Sequence, residues 1–154
     1  MSHDVGDRLP DFSLPTDDGG TLTTASLSGK KVVLYFYSKD DTSGCTKEAQ
    51  AFRDMADAFA AAGATIVGVS KDSVARHDKF KTKHSLPFTL VSDQDGHLCT
   101  ALGVWVQKSM YGKSYMGIER TTFLVDKAGV IRRVWRKVKV PGHAAEVLAA
   151  AQDL

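Results

Sequence analysis

The 154-residue chain has only two cysteines, Cys45 and Cys99, and four prolines. Two cysteines so far apart in sequence make neither a disulfide scaffold, a compact metal motif nor a Cys-x-x-Cys pair, so a reducing compartment is expected. Long apolar runs are missing as well. The longest, Val32 to Tyr37, falls far below the roughly 20 residues of a membrane-spanning helix. The first residues lack the basic region and apolar stretch of a secretory signal, which makes a cytoplasmic location the expectation. Charge of one sign is not in excess: 20 basic against 18 acidic residues leave +2, which argues against an electrostatic nucleic-acid binder. His3, His77, His84, His97 and His143 show no metal-ligand spacing. Gly112-Lys113-Ser114 lacks the earlier glycine of a phosphate loop, because that position is Gln107. Nothing calls for a metal or an organic cofactor, and without repeats or linkers residues 1–154 read as a single domain.

What is present is an alternation of strand and helix patterns. Phe12 to Leu14 and Thr21 to Thr23 flank an Asp/Gly cluster, which predicts a short hairpin. Val32 to Tyr37 predicts a strand buried on both faces. From Thr42 to Ala62, Ala49, Phe52, Met55, Phe59 and Ala62 recur at helical spacing, with Gly63 as the stop. Thr65 to Val69 predicts a parallel partner strand across a right-handed crossover. A polar helix follows from about Ser73 to His84, with Val74, His77, Phe80 and Lys81 on its inner side. Then come a strand at Phe88 to Val91, a turn at Asp93 to Gly96 and a short helix at Leu98 to Leu102. Thr121 to Val125 and Val130 to Lys137 flank a hairpin turn, the basic residues of the second strand lining a wet face. Pro141 opens a last helix to about Gln152. Met110, Tyr111, Tyr115 and Met116 lie in a glycine-punctuated segment that either packs beside the site or covers the core. The order describes an α/β class, a thioredoxin-like sandwich with an N-terminal β-hairpin extension.

Cys45 falls in the first turn of the helix after the central strand, with Thr42 or Ser43 as the cap. Free amides and the positive end of the helix dipole stabilise a thiolate there. A pKa lowered from about 8.5 to about 6 raises the thiolate fraction at pH 7 from roughly 3% to roughly 90%. That gain is at most about thirtyfold, and nucleophilicity falls with pKa. Cleaving an oxygen–oxygen bond further requires donors aimed at the oxygen on which charge develops.

The segment Tyr35-Phe-Tyr-Ser-Lys-Asp-Asp-Thr-Ser-Gly-Cys-Thr-Lys-Glu-Ala49 resembles the active-site segment of peroxiredoxins, in particular the bacterioferritin comigratory protein or peroxiredoxin Q subfamily. Gly6 to Phe12, Val67 to Ser73, Met110 to Lys113 and Gly117 to Val125 resemble other parts of the family, so the likeness spans nearly the whole chain. It implies a thiol-dependent peroxidase acting on hydrogen peroxide and organic hydroperoxides. Cys45 would be the peroxidatic cysteine and Thr42 would position peroxide. Arg120 would stabilise the thiolate and the breaking bond, with the N–H groups of Gly44 and Cys45 as further donors. Glu48 matches a family position that holds nearby groups in place. Where the family has proline this chain has Ser38, and restoring Ser38→Pro is expected to leave or raise activity.

Attack leaves a sulfenic acid that a second thiol must resolve. The two usual family positions for a resolving cysteine are Gln50 and Lys81 here. The preferred cycle therefore uses Cys45 alone, recycled by thioredoxin, glutaredoxin or glutathione, and the resemblance implies a monomer. Cys99 is the only internal candidate for a two-cysteine cycle, against its plainer reading as a small core residue. A non-enzymatic redox sensor that oxidises at Cys45 is the alternative outside enzymes. A disulfide oxidoreductase lacks its Cys-x-x-Cys, and nothing in the sequence places a histidine beside Cys45 for a hydrolase.

Overall fold

A computed structural model describes residues 4–154; His3 lies outside the described residues. Two buried runs build the centre. Strand β3 (Lys31–Phe36) pairs in parallel with β4 (Ala64–Ser70) and antiparallel with β8 (Thr121–Val125). With β5 (Thr89–Ser92) and β9 (Ile131–Trp135) at the edges, the sheet order is β5-β4-β3-β8-β9. A strand covered on both sides can be apolar at every position, and all of Val32 to Phe36 is buried.

The pleat sends alternate residues to opposite faces. Val33, Tyr35 and Tyr37 meet Cys45, Ala49 and Phe52 of α1 (Ser43–Asp54), Phe59 of α2 (Ala56–Ala61), Phe80 of α3 (Val74–His84) and Val147 of α5 (His143–Gln152). Val32, Leu34 and Phe36 meet Leu98 and Cys99 of α4 (His97–Ala101), together with Leu9, Phe12 and Leu27 from the N-terminal segment. That segment carries the expected hairpin, β1 (Ser13–Pro15) with β2 (Thr21–Thr23). The result is the thioredoxin-like sandwich with an N-terminal hairpin. Among the described residues no helix is long and apolar enough to cross a membrane.

Four expectations are corrected. The helix over 42–62 is two helices, broken at Met55, whose N–H bonds back three residues to the Phe52 carbonyl. This tight turn redirects the chain, and the Phe52 and Phe59 rings still meet at 5.8 Å. Pro141 is not the first residue of the last helix, because Gly142 intervenes in a left-handed conformation before His143. The segment with the exposed tyrosines and methionines is a hairpin, β6 (Trp105–Met110) with β7 (Lys113–Ile118), turning at Tyr111-Gly112 with both φ positive. Met110, Tyr111, Tyr115 and Met116 do not cover the core; all four are exposed. The last sheet strand is shorter than Val130 to Lys137, and Arg132 and Arg133 are exposed in succession beside a register irregularity at Leu124/Val125. A bulge of this kind breaks strict alternation.

Candidate active site

Helix α1 begins after Thr42, which is extended (φ −86°, ψ 154°) and whose carbonyl accepts the first ladder bond, from Thr46 N–H at 2.8 Å. The amides of Gly44 and Cys45 precede that bond and face outward from the helix start. The Thr42 hydroxyl does not cap the helix; it donates to the Lys39 carbonyl at 2.9 Å. Cys45 lies in the third helical position, only 1% exposed.

Two segments converge on its sulfur. Arg120, on the link between β7 and β8, donates from Nη2 to Sγ at 3.3 Å. From Nη1 it donates to Glu48 Oε1 at 2.6 Å. Ser38, just past the end of β3, places Oγ 3.4 Å from Sγ. Burial alone would push the Cys45 thiol up. Hydrogen bonds from Ser38, Thr42 and the Lys39 amide, with the charge of Arg120, overcome it and hold the pKa below the usual thiol value. Thr42 has one hydroxyl proton for two acceptors, the Lys39 carbonyl and the sulfur.

Glu48 is buried, and its Oε2 has no hydrogen-bond partner. Burial drives its pKa up to about 7 although Arg120 opposes the rise. Glu48 thus orients the guanidinium while partly cancelling its charge. Gly44 leaves the room: a Cβ there would stand 3.2 Å from Arg120 Nη2.

Cys99 does not join this group. It packs in the core cluster on the other face of the sheet from Cys45. Burial and the neighbouring Asp93 carboxylate push its pKa well above the usual thiol value. Asp93 itself accepts the amides of Leu98 and Cys99. Gln50 and Lys81, at the empty resolving positions, are engaged elsewhere: Gln50 lies 3.4 Å from His84 Nδ1, and Lys81 pairs with buried Asp17 at 2.8 Å. His143 spends Nε2 on the Thr122 hydroxyl at 2.8 Å.

Sequence reasoning missed a buried polar group beside the site. Asp40 accepts from Tyr37 Oη at 2.6 Å and lies 2.6 Å from His77 Nδ1, while its amide donates to Asp72 at 2.8 Å. The available signal was His77 on the inner side of an otherwise polar helix. Asp40, Asp72 and His77 have the composition of a metal site, but both nitrogens of His77 are already committed, to Asp40 and to the Val91 carbonyl at 2.9 Å.

A buried cysteine at a helix start, its pKa held low by an arginine fork and hydroxyls around it, on a thioredoxin-like sandwich, has the arrangement of a thiol-dependent peroxidase. The AhpC/TSA family matches residues 5–134. Peroxiredoxin Bcp of Bacillus subtilis is 49% identical over 154 residues, covering 100% of this chain and 98% of its own. The Escherichia coli Peroxiredoxin Bcp is 41% identical over 144 residues, covering 94% and 92%. Among solved structures, the Xanthomonas campestris bacterioferritin comigratory protein, described for its alkyl peroxide reduction activity, superposes with a TM-score of 0.92 at 44% identity, covering 98% of each chain. PrxQ of Xylella fastidiosa gives 0.93 at 40%, covering 99% and 98%. The chain belongs to the AhpC/TSA family, as a peroxiredoxin of the Bcp or peroxiredoxin Q kind.

Proposed function

We propose that Cys45 is the peroxidatic nucleophile and that the protein runs a one-cysteine cycle. The observation that carries this is the Arg120 guanidinium 3.3 Å from a buried sulfur at the start of α1. The thiolate attacks one peroxide oxygen, the O–O bond breaks, and the pair of electrons leaves with the distal oxygen as hydroxide or alkoxide, which takes a proton from water. Arg120, the Thr42 hydroxyl and the amides of Gly44 and Cys45 supply donors where that charge develops. Ser38 and Glu48 support the sulfur and the guanidinium.

A thiol RSH then condenses with the sulfenic acid, releasing water and leaving a mixed disulfide, and a second thiol frees Cys45. Thioredoxin, glutaredoxin or glutathione is the proposed reductant, because Cys99 is separated from Cys45 by the sheet. Small organic hydroperoxides are proposed beside hydrogen peroxide, the Xanthomonas campestris relative being described for alkyl peroxide reduction. Residues 1–154 are proposed to work as one domain, as a monomer, in the cytoplasm.

Mass spectrometry after one equivalent of peroxide, with and without reductant, tests the cycle. The expected product is sulfenic acid on Cys45, converted by added thiol to a mixed disulfide. Undiminished peroxide consumption by Cys45→Ser overturns the assignment, and accumulation of a Cys45–Cys99 disulfide overturns the one-cysteine cycle. A sensor would oxidise once and stall with every reductant supplied.

A further inference from the structure

Residues 38–42 form the loop that carries the hydrogen bonds of Ser38, Lys39 and Thr42 to the sulfur. Asp40 is the one residue of this loop that is buried, at 3% exposure, between exposed Lys39 and Asp41. Asp41 adopts a left-handed φ of 65°, a conformation that costs a non-glycine residue energy and needs surrounding structure to hold it. Asp40 is tied at three points. Tyr37, at the end of β3, donates to Oδ1 at 2.6 Å; His77 of α3 lies 2.6 Å from Oδ2; and the Asp40 amide donates to Asp72 Oδ2 at 2.8 Å.

The partners of His77 settle where its protons are. A backbone carbonyl only accepts, so Nε2, 2.9 Å from the Val91 carbonyl, carries hydrogen. Nδ1 and Oδ2 approach to 2.6 Å, which requires a proton between them. His77 is wholly buried, and water cannot substitute for that proton when it leaves.

We propose that His77 is a positioning residue for the peroxide reaction: the proton it shares with Asp40 pins the 38–42 loop so that Ser38, Lys39 and Thr42 face the sulfur of Cys45. Loss of one proton leaves the ring a single N–H for two acceptors, so either the bond to the Asp40 carboxylate or the bond to the Val91 carbonyl is lost, and the loop is no longer tied through His77 to both α3 and β5. The groups around the ring are Asp40 and Tyr37 from the end of β3, Asp72 from the β4–α3 link, Arg76 held on Asp72 at 3.1 Å, and the Val91 carbonyl of β5. Against the cost of burial, Asp40, the Val91 carbonyl and Asp72 hold the His77 pKa above its ordinary value, so the shared proton is kept to higher pH than an ordinary imidazole keeps its own, and rising pH removes it.

The inference rests on Cys45 being the peroxidatic sulfur, so the test reads the thiolate directly as well as the reaction. Full-length wild type and His77→Gln are titrated by the ultraviolet absorbance of the Cys45 thiolate, and their rates of oxidation by hydrogen peroxide are followed against pH. Wild type is expected to gain rate as Cys45 ionises and to lose it again on an alkaline limb. His77→Gln is expected to titrate Cys45 at higher pH, to react on the order of ten- to a hundredfold more slowly at neutral pH, and to lack the alkaline limb. A second variant, Tyr37→Phe, removes the other bond to Asp40 and keeps His77. It is expected to raise the Cys45 titration while keeping the limb, and it carries the test if His77→Gln does not fold. A wild-type thiolate titration in His77→Gln, or in Tyr37→Phe where the first does not fold, overturns the proposal. So does an alkaline limb that survives the loss of His77. Peroxide consumption by Cys45→Ser would fail the peroxidase reading alone, because the titration still reports on the anchor.

Discussion

The hydroxyl of Ser38 stands 3.4 Å from Sγ of Cys45, at the position where the family resemblance implies a proline, which has no such donor. The sequence likeness alone makes Ser38→Pro neutral or better. The hydrogen bond adds a cost to that exchange. A hydrogen bond to a charged group contributes about 1.5–3 kcal/mol, and about 1.4 kcal/mol corresponds to tenfold. Ser38→Ala is therefore expected to weaken the ionisation of Cys45 by roughly ten- to a hundredfold and to lower the thiolate fraction at pH 7. Alkylation rates measured against pH check it; an unshifted profile would mean that Thr42, Lys39 and Arg120 suffice.

Gly44 separates activity from stability. A methyl group at this position presses on Arg120 Nη2 at 3.2 Å, and Nη2 is the atom that reaches the sulfur. The flexible arginine can yield, so the fold survives. Alanine is favoured over glycine inside a helix by about 1 kcal/mol. Gly44→Ala is expected to unfold at the same denaturant concentration as wild type or a higher one, while Cys45 oxidation slows by on the order of tenfold or more. Stopped-flow oxidation beside a urea titration gives both readings from one preparation.

What the sequence disclosed follows the strength of each local signal. The run Val32 to Tyr37 and the stripe Ala49, Phe52, Phe59 announce a doubly covered strand and a helix because burial repeats with the period of the backbone. The β6–β7 hairpin has no such signal. Its strands bury little, and Gln107, Lys108, Ser109, Lys113 and Ser114 give a polar run without strand-like alternation. At the site, Cys45 and Thr42 follow from position on the helix start. Arg120 is 75 residues away from Cys45 in sequence, so no local pattern ties the two, and only the family likeness pointed to it. Asp40 was illegible for a related reason: an aspartate in a polar loop looks solvated until the fold brings Tyr37, Asp72 and His77 around it.

Cys99→Ser is expected to leave peroxide turnover unchanged with any external thiol. The two sulfurs belong to core clusters on opposite faces of the central sheet, and a disulfide requires Cα atoms within about 7 Å. Unwinding α1 would free Cys45 but would not carry it through the sheet. The cost should appear in stability instead, about 1 kcal/mol, because serine puts a hydroxyl among Leu98, Leu102 and Val104 in that core. Turnover with thioredoxin, glutaredoxin and glutathione beside a denaturant titration checks both statements. Lost turnover with retained single oxidation of Cys45 would restore the two-cysteine cycle.

Glu48 makes the pH dependence testable in the opposite sense to an ordinary surface carboxylate. Its pKa stands at about 7 in the fold against 4.5 for the free group, so between these values the folded chain holds the proton that the unfolded chain has lost. The contribution of Glu48 to stability is then full below about 4.5, declines as the pH rises to about 7 and is level above it, with a span on the order of 3 kcal/mol. Glu48→Gln keeps an oxygen for Arg120 Nη1 without a titrating charge, so the difference in stability between wild type and this variant is expected to carry that decline in denaturant titrations. The same exchange removes a negative charge near the sulfur. Cys45 should therefore ionise at lower pH in Glu48→Gln, yet react no faster with peroxide, because the 2.6 Å ion pair that aims the guanidinium has become a weaker neutral contact. A variant that ionises more readily and also oxidises faster would show that Arg120 acts through its charge alone and that its orientation by Glu48 is immaterial.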